Sequence, residues 1–99
     1  MDINITKGEK ITVEISGRLD TAATPEFSEA IADIISEKNN VVFDCSDLEY
    51  IASSGLRAFL SAHKSLTALG GTLEVTGVQP AVQSIFDMTG FSVMLKIGK

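Results

Sequence analysis

A chain of 99 residues with thirteen acidic and eight basic side chains carries a formal charge of −5, which repels nucleic-acid backbones and anionic membrane surfaces. Its single cysteine, Cys45, rules out an internal disulfide, and with only one histidine beside it no Cys/His zinc cage can form within one copy. The length suits one domain over residues 1–99, and no apolar run reaches a membrane span, so a cytoplasmic protein with no direct nucleic-acid or membrane contact is expected.

Ile11, Val13 and Ile15 alternate with polar residues and predict a strand with one face toward a core, and Ile3 and Ile5 repeat the pattern upstream. The short polar Thr6-Lys7-Gly8-Glu9 between them reads as a hairpin connection. Thr24-Pro25-Glu26 reads as a helix start, with Thr24 as cap, and Phe27, Ile31, Ile34 and Ile35 form its apolar stripe as far as Asn39-Asn40. Val41-Val42-Phe43, a short apolar run without alternation, predicts a central strand. Leu56, Phe59, Leu60, His63 and Leu66 return to a helical period that stops before Gly70-Gly71. Thr72 to Thr76 alternates as a strand. Pro80 opens a third helix with Val82, Ile85 and Phe86 inward, Gly90 ends it, and Val93-Met94-Leu95 reads as a last strand. The expected fold is α/β, in the order β-β-α-β-α-β-α-β. It has a mixed sheet, an N-terminal antiparallel hairpin, and helices packed on the sheet.

Between the third strand and the second helix lies the segment 44–57, read as a loop. Loops at the carboxyl ends of parallel strands are where α/β sheets meet ligands and partners. Ser53 or Ser54 is expected to cap the helix that follows. A phosphate on such a serine would gain from the helix dipole. It would also add nearly two negative charges beside Asp20, Asp44, Asp47 and Glu49, enough to change which partner the surface accepts.

Gly17-Arg18-Leu19-Asp20, Asp44-Cys45-Ser46-Asp47-Leu48, Ile51-Ala52-Ser53-Ser54-Gly55-Leu56, Gly70-Gly71 and Phe86-Asp87-Met88-Thr89-Gly90 together resemble the pattern of the bacterial anti-sigma-factor antagonists, which are STAS domains. The resemblance runs in order over nearly the entire chain. It implies a domain that binds an anti-sigma factor which is also a serine kinase of the ATP-binding GHKL type. That kinase switches the antagonist off by phosphorylating a serine, and a metal-dependent serine phosphatase restores it. The family's usual Asp-Ser-Ser-Gly falls on Ala52-Ser53-Ser54-Gly55, so the resemblance implies Ser53 as phosphoacceptor and Asp20, Ser53, Ser54, Gly55 and Arg57 as partner-binding residues. Ala52 departs from the pattern, where the family carries an aspartate. Relatives that serve as constitutive subunits of stressosome-like or lipid-transport assemblies offer the alternative of a scaffold with no phospho-switch.

Arg57 falls off the apolar stripe of the second helix, open to an acidic partner group, a phosphate on Ser53 or solvent. His63 lies nine residues after Ser54, about 13 Å along a helix axis, too far to act as its base. A serine-nucleophile enzyme therefore has no catalytic base, and no cofactor is implied. Cys45 reads as a small core residue. Gly70-Gly71 is a turn rather than a phosphate loop, because it leads from helix to strand. Phe86, Met88 and Phe91 are spaced for core and cap packing, and any of them left exposed would suit a partner surface.

Overall fold

The computed structural model describes residues 1–90 and the strand at 96–97. Strands β1 (Asp2–Lys7) and β2 (Ile11–Leu19) form the antiparallel hairpin, in register from Asp2 opposite Ser16 to Lys7 opposite Ile11. Then follow α1 (Thr24–Ile35), β3 (Asn40–Ile51), α2 (Ser53–Ala68), β4 (Thr72–Thr76), α3 (Pro80–Thr89) and β5 (Lys96–Ile97). The sheet order is β1-β2-β3-β4-β5, parallel from β2 onward. The α/β architecture, the opening hairpin and the element order are those expected. The expected strand at Val93-Met94-Leu95 lies outside the described residues.

Each parallel pair joins strands adjacent in both sequence and space through one helix, and right-handed crossovers of this kind put every helix on the same face. The aromatic core shows that layering. Phe43 of β3 meets Phe27 of α1 and Phe59 of α2 at ring-centroid distances of 5.5 and 4.9 Å, and Phe59 reaches Phe86 of α3 at 6.2 Å. Val13, Ile15, Val41, Phe43, Leu73 and Val75 point into this layer and are buried. On the opposite face Asp2, Glu14, Asp44 and Asp47 line a shallow cleft of about 120 Å³.

Three local expectations are corrected. Helix α1 ends at Ile35 rather than near Asn39-Asn40, because Asn39 folds back to donate from Nδ2 to the Ile34 carbonyl (2.9 Å) and Asn40 already starts β3. Thr24 does not cap α1 but is its first residue, behind Ala23. Met88, expected to pack, is 86% exposed, whereas Phe86 is buried and Phe91 lies outside the described residues.

The largest correction concerns 44–57. Strand β3 continues to Ile51, so the expected loop shrinks to Ala52 alone between β3 and α2. Two register shifts against β2, between Glu14 and Ser16 and between Gly17 and Arg18, give β3 extra residues. The bulges keep Cys45, Leu48 and Ile51 all facing the core, three residues apart instead of two.

Candidate functional site

The carboxyl ends of β2 and β3 lie side by side, Leu19 opposite Ile51. Strand β3 leads into α2 through Ala52 alone and β2 into α1 through the short turn 20–23, so the N-termini of α1 and α2 meet above the sheet. The Ala52 N–H donates to the Leu19 carbonyl at 2.9 Å and locks the second connection to the first. Asp20 shapes the first. Its Oδ1 accepts the Ala23 N–H (2.9 Å), and its carbonyl accepts both the Thr24 N–H (3.1 Å) and the Thr24 hydroxyl (2.9 Å). Its carboxylate thus satisfies an N–H group at the start of α1, a task hidden in the sequence.

Neither Ser53 nor Ser54 is the cap of α2. That position belongs to Ala52, in an extended conformation (φ −83°, ψ 167°) and with no side-chain hydrogen bond to the helix start. The expected cap fails by one residue. The extended β3 runs to Ile51 and the buried Ala52 turns directly into helix, leaving Ser53 as the first helical residue. Ser53 is exposed, and its hydroxyl has no partner among the described residues. Ser54 is half-buried, its Oγ 2.9 Å from Thr24 Oγ1.

Gly55, expected as a contact residue, is buried, and it packs tightly between α2 and the strand ends. A Cβ there would come within 2.8 Å of Ile51 Cγ1 and 3.0 Å of Leu19 Cγ, atoms close to the backbone of two buried side chains with little freedom to yield. Arg57 is exposed, as expected. It follows Ser53 by four residues and so shares its helix face.

The acidic ring expected around Ser53 is not there. Asp44 pairs with Glu14 while Ile51 pairs with Leu19, so at the usual strand rise Asp44 sits about 16 Å from the strand ends. Its Oδ1 accepts from the Ser46 N–H (3.0 Å) and hydroxyl (2.6 Å). Asp44 and Asp47 belong to the cleft on the open face. Glu49, exposed within the second bulge, is the member that lies nearer the strand ends, and beside it in sequence is a feature the sequence reading missed. Arg18 and Tyr50 are paired across the strands, and the guanidinium carbon of Arg18 lies 4.4 Å from the centre of the Tyr50 ring. Cross-strand pairing was the signal, but the bulge between Gly17 and Arg18 hides it from any simple register.

The remaining polar candidates offer no chemistry. Cys45 is fully buried, and burial first, then the charge of Asp44, pushes its thiol up to about 12. His63 is half-buried on the flank of α2, and its Nδ1 is enclosed without a hydrogen-bond partner among the described residues. No group of three or more metal-ligating side chains occurs among the described residues. No helix among them is long and apolar enough to cross a membrane. What the geometry provides is a pair of adjoining helix starts with the exposed Ser53 hydroxyl on one of them.

Comparison with known proteins bears on this surface. The family model described as the STAS domain matches residues 2–99. An anti-sigma-B factor antagonist of Listeria monocytogenes is 28% identical over 103 aligned positions, covering 98% of this chain and 90% of the relative. The crystal structure of an anti-sigma factor antagonist from Mycobacterium paratuberculosis superposes with a TM-score of 0.87 at 21% identity, covering 97% of this chain and 83% of that one. The Bacillus cell fate determinant SpoIIAA in its phosphorylated form superposes with a TM-score of 0.75 at 18% identity, covering 99% and 92%.

Proposed function

The chain belongs to the STAS domain family, and from that premise we propose that it is an anti-sigma factor antagonist, a protein-binding switch and not an enzyme. It acts in the cytoplasm as a single domain over residues 1–99. The unmodified surface built from Asp20, Ser53, Ser54 and Arg57, held in shape by Gly55, docks on an anti-sigma factor and so releases a sigma factor. That anti-sigma factor is also a serine kinase, and phosphate placed on Ser53 ends the docking until a serine phosphatase removes it. Curated relatives named anti-sigma-B factor antagonists over nearly the whole chain support the binding role.

One observation carries the switch: Ser53 is exposed at the first position of α2, with no hydroxyl partner among the described residues. A phosphate there adds about −1.5 to −2 charges. The free N–H groups of the helix start and Arg57, one turn on, stabilise it without melting the helix. The change is therefore local, in sign and bulk on the docking surface, and a partner fitted to a neutral hydroxyl is rejected.

Calorimetric titration of the host's anti-sigma factor tests this. Ser53→Ala keeps the binding and Ser53→Asp abolishes it; undiminished binding by both variants rules out the switch. Ala52, standing where the family pattern has aspartate, favours a second reading, a constitutive scaffold subunit in a stressosome-like or lipid-transport assembly. Mass spectrometry of the protein from its host separates the two, since a scaffold carries no phosphate on Ser53 under any growth condition.

A further inference from the structure

We propose that Thr24 is a specificity-determining residue that selects Ser53 over Ser54 as phosphoacceptor, by engaging the Ser54 proton; the inference rests on the reading of Ser53 as the switch. The two serines are neighbours at one helix start, and a kinase docked on that start meets both. Their hydroxyls differ in what they are bonded to. Thr24 Oγ1 donates to the Asp20 carbonyl at 2.9 Å and lies 2.9 Å from Ser54 Oγ. A hydroxyl has one proton. That of Thr24 is committed to Asp20, so in the second bond Ser54 is the donor and Thr24 the acceptor. The chain of hydroxyls runs from Ser54 through Thr24 to the Asp20 carbonyl, and it clasps the start of α2 to the start of α1.

Phosphoryl transfer from ATP bound to the kinase requires the acceptor oxygen to attack the γ-phosphorus in line. The new O–P bond forms as the bond to the bridging oxygen breaks, ADP departs with that electron pair, and the hydroxyl proton passes to a base on the kinase. Ser53 meets these demands, since its hydroxyl is exposed and free to turn. Ser54 does not. Its proton is directed at Thr24, away from any external base, and its oxygen is held half-buried between the two helix starts. Half-burial alone could also disfavour Ser54, but the two causes separate on substitution: valine at position 24 keeps the shape of threonine and removes the acceptor, whereas serine keeps the acceptor.

The test incubates wild type, Ser53→Ala, Ser53→Ala with Thr24→Val, and Ser53→Ala with Thr24→Ser with ATP and the host's anti-sigma kinase, and locates phosphate by mass spectrometry. Wild type is labelled on Ser53, and Ser53→Ala is essentially unlabelled. Adding Thr24→Val raises labelling of Ser54 by about tenfold, the effect of freeing one committed hydroxyl, and adding Thr24→Ser does not. Labelled wild type with no gain in the Thr24→Val double variant overturns the selection by Thr24 and leaves the Ser53 switch standing. A wild type that takes no phosphate overturns both. A second measurement needs no kinase and no substitution in α1: Ser54→Ala speeds hydrogen exchange at the amide of Thr24, thirty residues away in sequence, and at that of Phe27, by about fivefold, the measure of one lost hydrogen bond. Unchanged exchange there overturns the clasp.

Discussion

Ala52 occupies the cap of α2 with no oxygen to offer the free N–H groups behind it. The resemblance to the antagonist pattern marks this position as an aspartate elsewhere, and the geometry gives that aspartate a physical task, capping the helix that begins with Ser53. Replacing alanine by a capping residue typically stabilises by about 1 kcal/mol. Ala52→Asp is therefore expected to raise the unfolding free energy by about 1 kcal/mol in urea titrations at pH 7. The new carboxylate sits at the positive end of a helix, so its folded-state pKa falls below the unfolded value of about 3.9. The gain is thus fully present above about pH 5 and fades as pH falls through the folded pKa. Ala52→Asn, which keeps the hydrogen bond without the charge, retains most of the gain at low pH. No gain from either variant would show that the buried Ala52 site has no room for a cap. Sequence reading assigned the cap to Ser53 or Ser54 because a serine at the cap and a serine one residue inside a helix look alike along the chain. Only the exit of β3 decides between them. Cys45 and His63 were legible, since a lone thiol in an apolar strand and a histidine beside a helical stripe have few alternatives to packing.

Strand β3 explains why the elements around the site were harder to read than the rest. The hairpin, the three helices and β4 follow clean periods of two or 3.6, and the sequence displays them. In β3 the buried positions run Phe43, Cys45, Leu48, Ile51, a spacing that changes from two to three where the strand bulges, and the loss of alternation reads as a loop. The consequence is functional. A loop would leave Asp44 and Asp47 free to surround Ser53, whereas the strand carries them to the open face of the sheet. Arg57 is then left as the nearest charge on the same helix face, and it is a cation. On protein phosphorylated at Ser53, the second phosphate ionisation, ordinarily near about pH 6, is expected to shift below that value under the helix start and Arg57. Removing a neighbouring cation disfavours the dianion, so Arg57→Gln should raise that pKa in a phosphorus NMR titration by a few tenths of a unit, the scale of an exposed ion pair. An unchanged titration would mean that Arg57 points away and serves only the partner.

At the scale of the whole molecule, one layer of helices on one face of a sequentially ordered sheet makes the surface of the two helix starts an extension of the core. Phe59 is fully buried in α2 and touches Phe27, Phe43 and Phe86, so it joins all three helices to the central strand. The two strand ends beneath the site, Leu19 and Ile51, are buried in the same cluster. Truncating a buried phenylalanine costs about 3–5 kcal/mol, against a total of about 5–15 kcal/mol for a domain of this size. Phe59→Ala should therefore remove a large part of the stability. Because the core is continuous, it should do so without dividing the unfolding transition. Tyr50, stacked under Arg18 at the carboxyl end of β3, is the sole tyrosine in a chain without tryptophan, so its fluorescence reports on the sheet beneath the site while far-UV circular dichroism reports mainly on the helices. In urea the two signals are expected to fall together in both wild type and Phe59→Ala, with midpoints displaced by the same amount. If the tyrosine signal is lost first, the strand ends open independently of the helices, and a phosphate on Ser53 could act by loosening the sheet. A single coincident transition confines its action to the charge and bulk at the surface.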